Sequence, residues 1–187
     1  MTPTRARRLE HRRVYDGKVL SLDIDEVEEP GGVQATREVV RQRGSVAALP
    51  VHADGRVVLV RQYRYAVDED VWELPAGRRD PPESPEDGAR RELEEEVGLR
   101  AERLERICVF YTTPGFCDER MYLFRATGLA AVPARPEADE RIEAATFTLE
   151  EARAMIERGE IREGKTLVAL LLEVERRAAT HRDGARP

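Results

Sequence analysis

Glu92, Glu94, Glu95 and Glu96 fall within little more than one helical turn. Like charges three and four apart on a helix repel, so such a cluster implies a compensating positive charge. Glu92 and Glu96 are spaced i, i+4 and share a helix face, with Glu95 on its flank. Three carboxylates on an arc of roughly 100° offer the oxygen donors that hard cations such as Mg²⁺ take. Ions held in this way supply positive charge and acidify bound water.

The helix that must carry these acids can be read from its ends. Ser84 is an N-cap, Pro85 occupies the first helical position, and Glu86 and Asp87 lie in the first turn, where the helix dipole favours them. Ala89, Leu93 and Val97 form an apolar stripe for docking, and Gly98 ends the helix as a C′ glycine. The acids therefore crowd toward the end where the dipole disfavours negative charge, a second cost that bound metal would offset.

Around this helix the chain alternates short apolar runs with turn signals. Leu20, Leu22 and Ile24 alternate with polar residues at the strand period and are expected to form its buried face, and Val33 to Arg41 is a second strand beyond Pro30-Gly31-Gly32. The first 41 residues thus predict a small antiparallel sheet, preceded by an Arg-rich, solvated arm. Residues 45–51 and 56–63 predict a hairpin across Asp54-Gly55. Residues 72–75 are a short extended piece, residues 104–111 and 120–126 are strands with Thr127-Gly128 ending the second, and 142–147 is a last strand. Helices are expected over 149–158 and 165–177, the latter with Leu167, Leu170, Leu171 and Val174 on its apolar face. The fold class is α+β: a mixed sheet between helices, an α/β/α sandwich, plus the N-terminal antiparallel sheet.

The segment from Gly77 through Glu83 and Arg91-Glu92-Leu93 to Glu95-Glu96, Gly98 and Leu99 matches every fixed position of G-x5-E-x7-R-E-U-x-E-E-x-G-U, U being bulky and aliphatic. It resembles the Nudix box. Outside the box, residues 60–64 (Val-Arg-Gln-Tyr-Arg), 72–77 (Trp-Glu-Leu-Pro-Ala-Gly), Asp16-Gly17-Lys18-Val19 and 36–40 (Thr-Arg-Glu-Val-Val) are similar to the ADP-ribose pyrophosphatase subfamily. So is the loop 111–119, where Pro114 stands fifteen residues past Leu99. That loop has Thr113 and Cys117 where the subfamily usually has hydroxyl-bearing Ser or Ser/Thr. The resemblance implies the Nudix fold and Mg²⁺-dependent hydrolysis of ADP-ribose to AMP and ribose 5-phosphate, with two or three ions and Mn²⁺ as a substitute. It implies Glu92, Glu95, Glu96 and the Ala76 carbonyl as metal ligands, and Glu83 with Arg91 as a pair orienting the box helix. Glu140, with Glu137 second, stands where the subfamily keeps a general base; a box glutamate, Glu96, is the alternative. Arg64 is placed to hold a substrate phosphate, Arg37, Glu38 and Glu73 are assigned to the adenine or ribose ends, and Pro114 to substrate binding. The resemblance also implies a homodimer built through residues 1–41, with 42–187 as the hydrolase domain. GDP-mannose, another nucleoside diphosphate derivative, or a non-catalytic ADP-ribose sensor are the alternatives.

Composition bounds these readings. The net charge of −6 argues against a dedicated nucleic-acid binder but not against a nucleotide substrate. No apolar run is long enough to span a membrane. Cys108 and Cys117 do not make a disulfide framework, and both are expected as reduced thiols in the cytoplasm.

Overall fold

The computed structural model describes residues 5–136 and 141–184. The chain divides into two compact units, one formed by residues 1–44 with 110–120, the other by 45–109 with 121–187.

The first unit is a three-stranded antiparallel sheet of β1 (Arg7–Asp16), β2 (Ser21–Glu28) and β3 (Gln34–Arg41), in that order. The Arg-rich arm is therefore a strand from Arg7 onward. Its side chains meet acids across the ladder, with Arg13 Nε 2.9 Å from Asp23 Oδ1 and His11 Nδ1 2.7 Å from Asp25 Oδ1. The strand period expected for β2 is present, but the faces are exchanged. Asp23 and Asp25 are buried, whereas Leu22 and Ile24 stay half-buried. Arginine stems cover apolar and acidic surface alike while keeping the head group hydrated. Arg13 and Arg41, which donates to Asp23 at 3.0 Å, close over the aspartates in this way. The hydrogen bond from Arg13, supported by that from Arg41, holds the Asp23 carboxyl at about 2.

In the second unit, β4 (Ser45–Pro50), β5 (Val57–Arg64), β6 (Glu69–Glu73), β7 (Ala76–Arg78), α1 (Pro85–Val97), β8 (Leu99–Tyr111), β9 (Arg120–Ala131), β10 (Ile142–Phe147), α2 (Leu149–Glu157) and α3 (Gly164–Gly184) follow in order. Two sheets result, β10-β5-β6 and β7-β4-β9-β8. The expected hairpin between 45–51 and 56–63 does not form. The turn at Asp54-Gly55 is real, with Gly55 at φ +87°, but a single bridge, Val51 to Val57, joins the two runs before they part into different sheets. All six residues of β4 are buried. A strand covered on both faces belongs inside a sheet, and β4 pairs in parallel with β9 and antiparallel with β7.

Val46 and Ala48 of β4, Ala89 and Leu93 of α1, Ala101 of β8, and Phe124 and Ala126 of β9 form the core beneath α1, with Val97 at its margin. Burying Leu93 there is worth about 1.5–3 kcal/mol. By strand alternation Ala47 and Leu49 point to the other face of β4, and both are buried as well. Thr127-Gly128 does not end β9, which continues to Ala131. Gly128 adopts φ +66° within the strand, where a Cβ would lie 2.7 Å from Cβ of Glu102. On α3 the buried line is Thr166, Ala169, Leu170 and Glu173; Leu171, expected inside, is exposed. Glu173 replaces it because Arg125 and Arg177 both donate to it at 2.9 Å.

Candidate active site

The box helix α1 begins and ends as its sequence requires. Ser84 Oγ accepts from the Asp87 backbone N–H at 3.1 Å, Pro85 occupies the first turn, and Gly98 closes the helix at φ +61°, its N–H donating to the Leu93 carbonyl. That register turns Ala89 and Leu93 into the core and brings Glu92 and Glu96 against the strand that precedes the helix. Glu96 Oε2 accepts from the Ala76 N–H at 3.0 Å. The Glu92 carboxylate lies directly over Gly77, where a Cβ would come 1.9 Å from its Oε1. Glycine at 77 is thus required by contact, not by backbone conformation, since its φ is not in the left-handed region.

Arg91 is the hub of the cluster. It grips Glu83 with Nε at 3.2 Å and Nη2 at 3.0 Å, while Nη1 bridges Glu92 at 2.7 Å and Glu95 at 2.9 Å. Nη2 also donates to the Arg78 carbonyl at 3.1 Å. The Glu83 hydrogen bond, followed by the neighbouring carboxylates, raises the Arg91 pKa well above its ordinary value, and the same bond pulls Glu83 below its own. Glu83 further accepts from the Asp80 N–H at 2.8 Å, which fixes the loop leading into the helix.

Among the described residues, no three His, Cys, Asp or Glu side chains already converge as a metal-binding group. Glu92 and Glu95 share Arg91 Nη1, and Glu96 holds the Ala76 N–H. The donor set nevertheless fits a hard cation: three carboxylates on one helix face beside backbone stripped of a Cβ at Gly77, all oxygen and none sulfur.

Arg64 and Glu73 lie on adjacent strands of the same unit and form a two-pronged pair, Nε to Oε1 at 2.6 Å and Nη2 to Oε2 at 2.9 Å. Lys165, at the start of α3, reaches the same carboxylate at 2.5 Å. Burial would raise the Glu73 pKa, but the bonds from Arg64 and Lys165 outweigh it and the net shift is downward. The negative charge of Glu96 acts on Arg64, so the cation pair and the box carboxylates share one electrostatic neighbourhood.

In the first unit, Arg37 pairs with Glu29 at 2.5 Å and Glu38 is exposed beside it on β3. Pro114 is exposed on the loop between β8 and β9. That loop is tied to β3 by Asp118, which accepts from the Gln42 N–H at 2.8 Å and from Arg41 at 3.2 Å. Glu137 and Glu140 lie outside the described residues.

The model of the NUDIX domain matches residues 41–170. The chain belongs to the Nudix family. An ADP-ribose pyrophosphatase of Bacillus subtilis (strain 168) is 39% identical over 160 residues, covering 84% of this chain and 86% of its own length. An ADP-ribose pyrophosphatase of Mycobacterium tuberculosis (strain ATCC 25618 / H37Rv) is 40% identical over 152 residues, or 79% and 73% of the two chains. A solved structure titled as an ADP compounds hydrolase superposes with a TM-score of 0.83 over 94% of this chain and 95% of that one at 23% identity, which shows the Nudix fold.

In this Nudix hydrolase two polar side chains, one in each unit, hold segments together without a local signal in the sequence. Lys165 carries no local signal, because the carboxylate it meets is 92 residues away in the chain. Asp118 was read as part of a loop motif, and its anchoring of that loop to β3 depends on pairing across the fold.

Proposed function

We propose that this chain hydrolyses the pyrophosphate bond of ADP-ribose, giving AMP and ribose 5-phosphate. The observation that carries the reading is the placement of Glu92 and Glu95 on Arg91, of Glu92 over Gly77 and of Glu96 on the Ala76 N–H, with the Arg64 cation in electrostatic reach of Glu96. The substrate follows from the two relatives named for ADP-ribose. Glu92, Glu95, Glu96 and the Ala76 carbonyl would hold two or three Mg²⁺, or Mn²⁺ in their place. When bound, these ions supply positive charge that offsets the pyrophosphate oxygens and acidifies water.

The protein's own residues do the rest. Arg91 and Glu83 lock the box helix so that its carboxylates keep their spacing. Arg64 presents a guanidinium to a substrate phosphate, and Arg37, Glu38, Glu73 and Pro114 serve the nucleoside and ribose ends. Glu140, or failing it Glu137, accepts the proton of the attacking water. The water oxygen bonds one phosphorus, the bridging P–O bond breaks, and the departing phosphate keeps its electron pair. Residues 1–41 form the centre of a homodimer; the half-buried Leu22 and Ile24 and the exposed Leu9, Val14 and Tyr15 supply apolar surface for it. No helix among the described residues is long and apolar enough to cross a membrane. Both cysteines are free thiols, which fits the cytoplasm.

Chromatography of products formed with Mg²⁺ from ADP-ribose, GDP-mannose, diadenosine polyphosphates and NADH tests this reading. ADP-ribose is expected to lead, yielding AMP and ribose 5-phosphate. A different leading substrate overturns the ADP-ribose assignment, and binding of ADP-ribose without turnover overturns the hydrolase reading in favour of a sensor.

A further inference from the structure

Lys165 is buried, as lysine rarely is without a partner. Its ammonium lies 2.5 Å from Glu73 Oε2 and 3.2 Å from Glu163 Oε2. Glu163 is divided between this ammonium and the start of α3, where its carboxylate also accepts from the backbone N–H groups of Lys165 and Thr166 and from the Thr166 hydroxyl. Glu73, also buried, therefore faces two cations. Arg64 meets it with Nε and Nη2, which leaves the Nη1 edge of a 41% exposed side chain outside the pair. With Lys165 present, Glu73 is held from two sides, and Arg64 is the outward member of the group; with Glu163 beside the ammonium, the two cations and two carboxylates balance. Thr166, the next residue, accepts from the Leu74 N–H at 2.9 Å, so two successive side chains of α3 pin the end of β6.

We propose that Lys165 is a positioning residue for Arg64: by holding Glu73 from the buried side it fixes the carboxylate, and through it the guanidinium, in place for a phosphate of the substrate. The proposal rests on Arg64 holding that phosphate. Lys165 does not touch substrate, so its substitution acts only through Arg64.

The test is a double-mutant cycle of Lys165→Met with Arg64→Ala, reading KM and kcat on ADP-ribose and, by titration calorimetry without metal, the Kd for ADP-ribose. Lys165→Met is expected to raise KM and Kd about tenfold while kcat stays within about threefold. In the Arg64→Ala background it is expected to add less than twofold. Lys165→Gln, which keeps a hydrogen-bond donor but not the charge, is expected to behave as Lys165→Met and serves where the methionine variant does not fold. If Arg64→Ala raises KM and neither Lys165 variant does, or if the effects multiply in the double variant, Lys165 does not act through Arg64 and the proposal falls alone. If Arg64→Ala leaves KM and Kd unchanged, the phosphate role of Arg64 falls and takes the proposal with it.

Discussion

Gly77→Ala tests how closely the box carboxylates are positioned. The added methyl would lie 1.9 Å from Glu92 Oε1, 2.2 Å from its Cδ and 2.6 Å from Oε2. Real Cβ atoms essentially never approach another heavy atom within 3.0 Å, so Oε1 must move by at least 1.1 Å. The obstacle is the far end of a flexible side chain, and Gly77 does not need the left-handed region. The carboxylate therefore swings away and the fold survives. A misplacement of about 1 Å in a catalytic group costs about 100-fold in rate, or about 2.7 kcal/mol. The expected outcome is a fall of about two orders of magnitude in kcat/KM on ADP-ribose, with the melting temperature within about 4 °C of wild type. Steady-state kinetics beside differential scanning calorimetry reads both. Activity within threefold of wild type would refute the claim that the Glu92 position is set by contact with bare backbone. A collapse in melting temperature would show that the cost is structural instead.

Glu140→Gln is expected to lower kcat by at least about 100-fold with KM little changed, as removal of a general base does; turnover within about threefold of wild type sinks the assignment and shifts attention to Glu137. Ile24→Asp, which puts a charge on the half-buried apolar face of β2, is expected to convert a dimer to monomer in sedimentation velocity, and an unchanged dimer would remove that face from the interface. Glu173→Ala leaves Arg125, 18% exposed, without its carboxylate. Breaking such a buried pair costs about 3 kcal/mol, about 6–12 °C in melting temperature for a chain of this size. A loss under 2 °C would mean that solvent or neighbouring groups compensate. The same carboxylate sets a pH dependence. Burial acts to raise the Glu173 pKa, but hydrogen bonds from Arg125 and Arg177 overcome it and hold the folded value below the ordinary 4.5. A depressed folded value adds stability above the unfolded pKa and loses it as pH falls through the folded one. Thermal stability should therefore be retained down to about pH 4.5 and decline below it, less steeply in Glu173→Ala.

Legibility in this sequence followed the range of the interactions. The box helix was readable at both ends because Ser84, Pro85 and Gly98 act on backbone within a few residues of themselves. The link between Arg91 and Glu83 came from the resemblance to the box, and the two side chains meet at 3.0–3.2 Å. The hairpin failed because a turn at Asp54-Gly55 constrains only the chain between two strands; it says nothing of β7 and β9, which occupy both edges of β4. Charge misled most where it was buried. Alternation in β2 gave the right period, but choosing its inward face by hydrophobicity assumed that aspartates seek water. Asp23 instead has Arg13 and Arg41 across the ladder, and the arginines cover it. Glu173 displaced Leu171 from the buried side of α3 by the same means. Hydrophobic pattern predicts burial only for groups that lack a partner; once a carboxylate is paired, the cost that would expel it is largely met. Several of these pairs join distant segments: Arg125 and Glu173 are 48 residues apart, and Lys165 and Glu73 are 92 apart. Buried pairing on this scale makes the surroundings of Arg64 a property of the folded chain, set by α3 as much as by the strand that bears it.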